Sequence, residues 1–156
     1  MSDEGAAAWL RQVIEGDKAA ALAATPGPWA FEGDDITDDE LYSVHDGEHG
    51  DLVGQTVAFT RDRQVENGQH MARQNPLNVI ARCESDLVLL DLHKPVSDEY
   101  VDGDGDTRDS LLCDECDNCG AAFNWPCRTA RLLARGYRHR EGYADHWGAL
   151  AAKESV

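Results

Sequence analysis

The amino-acid sequence predicts an α+β fold, in which an N-terminal helix, a small antiparallel meander and a central amphipathic helix precede a zinc knuckle and C-terminal helices. Three observations lead to this prediction. Apolar residues recur at helical spacing in separate stretches of the chain. Short β-prone stretches lie between connections rich in aspartate and glycine. Four of the five cysteines fall between positions 113 and 127, at spacings typical of a metal site.

Length and charge restrict the classes of function. The 156 residues suit a single domain spanning residues 1–156. Lysine and arginine number 14 against 30 acidic residues, which gives a formal charge of −16. This charge repels phosphate backbones and anionic lipid, so we expect a protein partner and neither direct nucleic-acid binding nor a membrane. The sequence lacks an apolar run of membrane-helix length and a basic, signal-like start, so we expect a cytoplasmic protein.

Residues 3–24 predict an amphipathic helix. Trp9 and Leu10 are followed four residues later by Val13 and Ile14, which places all four on one side of a helix. The run TPGPW then ends the helix, because two prolines around a glycine exclude helical backbone.

Residues 28–60 predict the antiparallel meander. Its candidate strands are residues 29–32, 41–44 and 52–59. Residues 45–49 read HxxEH, the inverted form of a zinc-protease motif. That chemistry needs both histidines on one helical face, whereas the nearby glycines predict a turn. No catalytic residue is therefore assigned from this match.

The region 65–93 predicts two helices. A short helix precedes Asn75-Pro76, which supplies a capping side chain followed by a proline at the first helical position. The central helix begins there and is expected to end near His93, which could bind a metal from the helix terminus. Six residues are expected to form its buried stripe: Val79, Ile80, Cys83, Leu87, Val88 and Leu90.

Residues 94–115 predict a flexible acidic loop, because positions 97–117 carry nine acids and one arginine without apolar periodicity. Residues 127–152 predict helices, with Leu132 and Leu133 packed inward. Four arginines at spacings of three and four should form a solvated basic face that neutralises the acidic loop. They are Arg128, Arg131, Arg135 and Arg138.

Residues 116–127 predict the zinc knuckle. Cys116 and Cys119 are two residues apart and a glycine follows, so that both thiolates can bind one tetrahedral ion. Cys127 follows a proline at the start of a predicted helix, where the helix dipole stabilises a thiolate. An odd number of cysteines in a chain without an export signal also favours metal over disulfides.

Two residues compete as the fourth ligand. Cys113 would complete an all-cysteine site within fifteen residues, whereas His93 would give three thiolates and one imidazole. We favour His93, because C-x2-C-x2-C is awkward around one ion and a ligand from a distant helix adds long-range closure. The predicted set is His93, Cys116, Cys119 and Cys127 around a structural Zn²⁺, with Cys113 as the alternative fourth ligand.

Several motifs together resemble an uncharacterised family from actinobacteria and actinophages. They are TPGPW, HxARxxP, a histidine after a leucine-rich helix, CxxCG and PCxTxRLLA. The front of the chain is also similar to small early phage proteins that carry TPGPW. The resemblance implies an α+β domain with a helix-end histidine and three cysteines, at positions 93, 116, 119 and 127. It implies no activity, and Cys113 falls outside its pattern.

The sequence favours a non-enzymatic, zinc-stapled accessory protein that binds another macromolecule, in a phage or mobile-element setting. One alternative is a zinc-dependent enzyme, hydrolase or deaminase-like, with an open metal position beside His70, His139 or Glu84. A second alternative is an acidic nucleic-acid mimic. The sequence contains no P-loop, GxGxxG or nucleophile elbow, so no catalytic or cofactor-binding residue is assigned.

Overall fold

The computed structural model describes residues 3–32, 43–48, 52–55, 61–101, 103–117 and 124–151. This part of the chain contains six helices and five short strands, so the predicted α+β class is confirmed. Among the helices described, none combines the length and hydrophobicity needed to cross a membrane. The elements are α1 (Asp3–Ala23), β1 (Trp29–Glu32), β2 (Ser43–Asp46), β3 (Leu52–Gln55), α2 (Arg61–Arg73), α3 (Pro76–Leu92), β4 (Pro95–Val101), β5 (Thr107–Cys113), α4 (Asp114–Asp117), α5 (Arg128–Arg135) and α6 (Tyr143–Ala151).

The chain divides into two compact units. Unit 1 comprises Met1–Gly16 and Glu84–Val156, and unit 2 comprises Asp17–Cys83. Both boundaries fall within helices, so α1 and α3 each contribute residues to both units. The single domain expected for residues 1–156 stays a prediction.

Unit 2 contains the predicted three-stranded antiparallel sheet, in the order β1-β2-β3. Val44 on the central strand is fully buried and pairs with Phe31 on β1 and Gly54 on β3. Helix α2 packs against β1, and the ring of Phe31 lies so close to Gly68 that a Cβ there would overlap it. The remaining positions of the predicted strands 41–44 and 52–59 lie largely outside the described residues.

The HxxEH stretch begins in a strand and a turn, as its glycines predict. His45 belongs to β2, and the backbone N–H of Gly47 donates to the carbonyl of Pro28 at 2.6 Å. The N–H of Glu48 donates to Asp46 Oδ1 at 3.0 Å, which closes the turn. His49 lies outside the described residues.

Helix α3 begins at the residue that the sequence indicates. The side-chain oxygen of Asn75 accepts the N–H of Asn78 at 3.3 Å, and Asn75 is buried. This hydrogen bond satisfies one of the donors left free in the first turn, and Pro76 has no N–H to satisfy. The predicted Asn-Pro helix start is therefore present.

The buried stripe of α3 differs from the prediction at Val88. Cys83 and Leu90 are buried, and Leu87 is half-buried. Val88, expected to be buried, is 58% exposed. Positions 83, 87 and 90 recur on one side of a helix, whereas position 88 is rotated away from that side by more than a quarter turn.

Residues 95–113 form a β-hairpin, and the prediction of a flexible loop over 94–115 is wrong for them. Strands β4 and β5 pair antiparallel, from Pro95 opposite Cys113 to Val101 opposite Thr107. In the turn, Gly105 has a φ of 88°, which glycine adopts without strain. Most described side chains of the hairpin are exposed. Its strands carry acids and lack the alternation of apolar and polar residues that a half-buried strand shows.

The core of unit 1 contains two tryptophans in contact. Trp147 on α6 is fully buried, and its Nε1–H donates to the carbonyl of Ala6 on α1 at 3.1 Å. Trp125 is 3% exposed, and its ring meets that of Trp147 edge-on with centroids 5.6 Å apart. Leu10 of α1 is also fully buried.

Helix α5 buries small side chains and exposes a large one. Ala130 and Ala134 are buried, and Tyr137 follows on the same side just after the helix. Leu132 is 50% exposed, so the prediction that it packs inward is wrong, while Leu133 is half-buried. Position 132 lies on nearly the opposite side of the helix from position 130, so both cannot face the core.

Candidate metal centre

Four potential ligands converge within unit 1: His93, Cys113, Cys116 and Cys127, whose ligand atoms all lie within 4.8 Å of one another. The Nδ1 atom of His93 lies 3.3 Å from Cys113 Sγ, 3.8 Å from Cys116 Sγ and 3.5 Å from Cys127 Sγ. Tetrahedral zinc with ordinary Zn–S and Zn–N bonds requires nitrogen–sulfur separations of about 3.6 Å. The observed distances bracket that value, so the cluster could hold a metal ion.

Each ligand lies at the end of an element or in a short turn. His93 follows the last residue of α3, and its N–H still donates to the carbonyl of Leu89 at 3.0 Å. Cys113 is the last residue of β5, Cys116 lies in the single turn α4, and Cys127 precedes α5. Residues at such positions can approach one another without interrupting a helix or a strand.

The sulfur atoms are shielded from solvent to different degrees. Cys113 and Cys127 are buried, whereas Cys116 and His93 are half-buried. Burial raises the pKa of the Cys113 thiol to about 12, and the nearby sulfurs of Cys127 and Cys116 act in the same direction. The backbone N–H of Cys116 lowers that pKa by hydrogen bonding to the Cys113 sulfur. A cation among these sulfurs would stabilise their thiolate forms.

Backbone contacts connect the segments that carry the ligands. The N–H of Asp114 donates to the carbonyl of Lys94 at 3.1 Å, next to Cys113 and His93 respectively. The Lys94 ammonium also pairs with the Asp114 carboxylate at 3.3 Å, but both side chains are largely exposed, so this ion pair contributes little. After Cys127, the N–H of Arg131 donates to the Cys127 carbonyl at 3.0 Å and begins α5.

Trp125 contacts two of these segments. Its indole Nε1–H donates to the carbonyl of His93 at 2.9 Å. Its backbone N–H donates to the carbonyl of Leu111 on β5 at 2.8 Å, and Asn124 forms a bridge with Leu112. Sequence reasoning assigned no role to Trp125, although its place in the run WPC, two residues before a predicted ligand, was a usable signal.

The structure brings together three residues of the predicted ligand set: His93, Cys116 and Cys127. Cys113, the predicted alternative, lies with them. Cys119 is outside the described residues, so its membership of the site stays a prediction. The spacing C-x2-C-x2-C favours His93 over Cys113 as the fourth ligand. In the structure, Cys113 at the end of β5 and Cys116 in α4 both belong to the cluster with His93.

The side chains named for the enzyme alternative do not belong to the described cluster. His70, Glu84 and His139 are exposed, and none belongs to the four-residue cluster. Cys83 is buried in unit 2 and is also outside the cluster. The cluster therefore consists of one imidazole and three thiols.

The chain matches a known protein family. Residues 3–149 match a family described as a family of unknown function, DUF6221. The search of curated proteins and the search of solved structures gave no match. Since the matched region spans nearly the whole chain, the protein belongs to this family of unknown function.

Proposed function

We propose that the protein is a non-enzymatic accessory protein, stapled by a structural Zn²⁺ ion, that acts by binding another protein. The observation that carries the zinc assignment is the convergence of His93, Cys113, Cys116 and Cys127 within 4.8 Å. One imidazole with three thiolates is a set used by structural zinc sites. Thiolate-rich sets select zinc or other soft metals over magnesium and calcium. The phage or mobile-element setting suggested by the sequence resemblance belongs to the same proposal.

A structural role fits this ligand set better than a catalytic one. Catalytic zinc sites use three protein ligands and keep a fourth position for water or substrate. Here four side chains are available to the ion, and His70, Glu84 and His139 are exposed and are not members of the cluster. The zinc-dependent hydrolase or deaminase therefore has less support, and the nucleic-acid mimic stays a prediction.

The test of the zinc site is the metal content of the purified protein, measured by mass spectrometry for the wild type and single variants. We expect one zinc per wild-type chain and its loss from Cys116→Ser and Cys127→Ser, because each removes a thiolate. Cys83→Ala, a change at a buried cysteine outside the cluster, is the matched control and should keep the metal. Full zinc occupancy in both ligand variants would refute the site.

The fourth ligand is tested by comparing Cys113→Ser with Cys119→Ser. The position of Cys113 Sγ, 3.3 Å from His93 Nδ1, favours Cys113 as the ligand. We therefore expect Cys113→Ser to weaken zinc binding in competition with a chromophoric chelator, and Cys119→Ser to bind as the wild type does. The reverse result would assign the fourth position to Cys119.

The outer face of α5 supports the second part of the proposal. Residues 124–140 contain five arginines and no acid, although the whole chain has a formal charge of −16. Leu132, 50% exposed, lies between the exposed Arg128 and Arg135 at helical spacing. Arginine beside an exposed apolar side chain is typical of protein interfaces. A protein segment that carries carboxylates and an apolar residue would complement the arginines and Leu132 of this face. A long phosphate backbone would also be repelled by the negative charge of the rest of the chain.

Two fluorescent probes test this face by anisotropy: a short peptide of alternating glutamate and leucine, and a DNA duplex. We expect salt-sensitive binding of the peptide and no binding of the duplex. Leu132→Asp should abolish peptide binding, because it places a carboxylate on the contact face. Leu22→Asp, at a residue of α1 that is 64% exposed, is the control and should bind normally. Binding of the duplex in preference to the peptide would contradict the proposal.

A further inference from the structure

We infer that Trp125 is a positioning residue of the metal centre: its indole N–H holds the carbonyl of His93 and thereby places the His93 imidazole against the three sulfurs. The inference rests on the proposed zinc site, and it adds a side chain that would set the affinity of that site without touching the metal.

Trp125 adjoins two of the ligand-bearing segments, one along the chain and one through a contact with the hairpin. It lies two residues before Cys127, so any shift of its backbone is transmitted directly to that ligand. Its N–H donates to the carbonyl of Leu111 at 2.8 Å, and Leu111 lies two residues before Cys113. The backbone of Trp125 therefore fixes two sulfur-bearing segments against each other.

The indole of Trp125 forms a hydrogen bond to a third ligand-bearing segment, that of His93. The Nε1–H donates to the His93 carbonyl at 2.9 Å, at the end of α3 where a carbonyl has no partner within the helix. Trp125 is 3% exposed, so water competes poorly for this hydrogen bond. Because the carbonyl and the imidazole belong to the same residue, fixing one restricts the position of the other. Zinc–ligand distances tolerate deviations of only about 0.2 Å, so such a restriction matters for affinity.

The indole of Trp125 is itself held in place by its neighbours. Its ring contacts Trp147 edge-on, with centroids 5.6 Å apart, and Trp147 is fully buried. The Trp147 indole donates to the Ala6 carbonyl at 3.1 Å, which anchors it to α1. Trp125 cannot rotate away from His93 without disturbing this core. Through its backbone and its side chain together, Trp125 therefore connects the segments of His93, Cys113 and Cys127.

The experiment measures Co²⁺ affinity by the absorption of the bound ion, followed by Zn²⁺ competition, in the wild type and in Trp125→Phe. Phenylalanine keeps an aromatic ring and removes the N–H donor. We expect the affinity of Trp125→Phe for both ions to fall about tenfold, the lower end of the effect of outer hydrogen-bond partners on metal sites. The thiolate-to-cobalt absorption bands should keep their intensity at saturation, because all three sulfurs remain.

Two matched variants separate positioning from general stability. Tyr137→Phe also removes a hydrogen bond of a buried aromatic side chain in unit 1, the one to Asp86, but it leaves the bond to His93 intact. Trp29→Phe removes the indole bond to the Thr25 carbonyl, at 3.0 Å in unit 2. Both should bind Co²⁺ within about twofold of the wild type, even where Tyr137→Phe lowers the unfolding temperature as much as Trp125→Phe does.

The outcomes distinguish this inference from the zinc site itself. Wild-type affinity in Trp125→Phe, or an equal loss in Tyr137→Phe, would overturn the positioning role and leave the zinc site standing. Failure of the wild type to bind either ion would overturn both. If Trp125→Phe does not fold, benzothienylalanine at position 125 replaces only the N–H by sulfur and keeps the ring size. Its expected loss of affinity is the same, and unchanged affinity would again overturn the role.

Discussion

At the scale of single residues, the candidate metal centre contains a buried thiol whose ionised form is disfavoured by burial. The thiol of Cys113 is fully buried beside two other sulfurs, and its raised pKa reflects that environment. Without a cation the Cys113 thiol would stay protonated, because burial and the neighbouring sulfurs disfavour its charged form. A bound metal ion reverses this balance by stabilising the thiolates. The residues that meet here are therefore ones whose proximity a metal explains.

Tyr137 provides a prediction at the same scale. Its hydroxyl donates to the Asp86 carboxylate at 2.5 Å and ties the segment after α5 to α3. We expect Tyr137→Phe to lower the free energy of unfolding by about 1.5–3 kcal/mol, since a partly buried hydrogen bond to a charged group is lost. Urea denaturation measures this effect, and zinc content should not change.

The control for Tyr137 is Tyr143→Phe. The ring of Tyr143 packs edge-on against Trp9, and phenylalanine keeps that contact. We expect its unfolding free energy to stay within about 0.5 kcal/mol of the wild type. Equal losses in the two variants would show that the bond to Asp86 has no special contribution.

At the scale of elements, the metal centre closes the acidic hairpin at its base. Strand β4 begins two residues after His93, and β5 ends at Cys113, opposite Pro95. Two ligands thus flank the hairpin, and a bound ion would join its two ends as a loop closure. This arrangement lets strands with mostly exposed side chains persist with little apolar burial of their own.

Helix α2 yields a prediction about packing between elements. Gly68 faces Phe31 of β1 so closely that an added Cβ would overlap the ring, whereas a Cβ at Gly16 of α1 would meet no atom within 4 Å. We expect Gly68→Ala to destabilise the protein by about 1–3 kcal/mol through overpacking. Gly16→Ala, the matched helical control, should stabilise it by up to about 1 kcal/mol through helix propensity.

Thermal unfolding followed by circular dichroism measures both glycine variants. The two substitutions add the same methyl group, so opposite shifts of the unfolding temperature would isolate the contact with Phe31. Stabilisation by Gly68→Ala would mean that α2 does not approach β1 as closely as described.

At the scale of the whole molecule, removal of the metal should be the largest single perturbation. An ion at a concentration about 1,000 times its Kd stabilises the folded state by about 4 kcal/mol. In a protein of this size, that corresponds to roughly 8–16 °C in unfolding temperature. We expect chelation to lower the temperature by this amount and stoichiometric Zn²⁺ to restore it.

Hydrogen exchange should locate the effect of chelation. The largest loss of backbone protection is expected in β4, β5 and the first turn of α5, because these segments end at ligands. Chelator treatment of Cys116→Ser serves as the control and should have no further effect. An unchanged unfolding temperature and exchange pattern in the wild type would contradict a structural metal.

Local patterns in the sequence were sufficient for several features of this protein. Helical periodicity placed α1 and α3, and the Asn75-Pro76 pair marked the start of α3, because capping and proline geometry act within one turn. The cysteine spacing, with a histidine at a helix end, predicted a metal site; the structure brings His93, Cys116 and Cys127 together, and metal binding by them stays a prediction. The helix signals were predictable because their determinants lie within a few residues of one another, and the candidate ligands because cysteine and histidine are residue types that bind zinc.

Only the tertiary structure decided the remaining features. The hairpin of residues 95–113 left no apolar alternation to detect, because its stability comes from backbone pairing and from the ends that it joins. The position of Cys113 in the cluster depended on where β5 ends, and the role inferred for Trp125 depends on a contact 32 residues away along the chain. The sequence by itself determined where α1 and α3 form and which side chains can bind a metal. Which of those side chains meet was decided by long-range packing, since spacing along a chain does not specify distance in space.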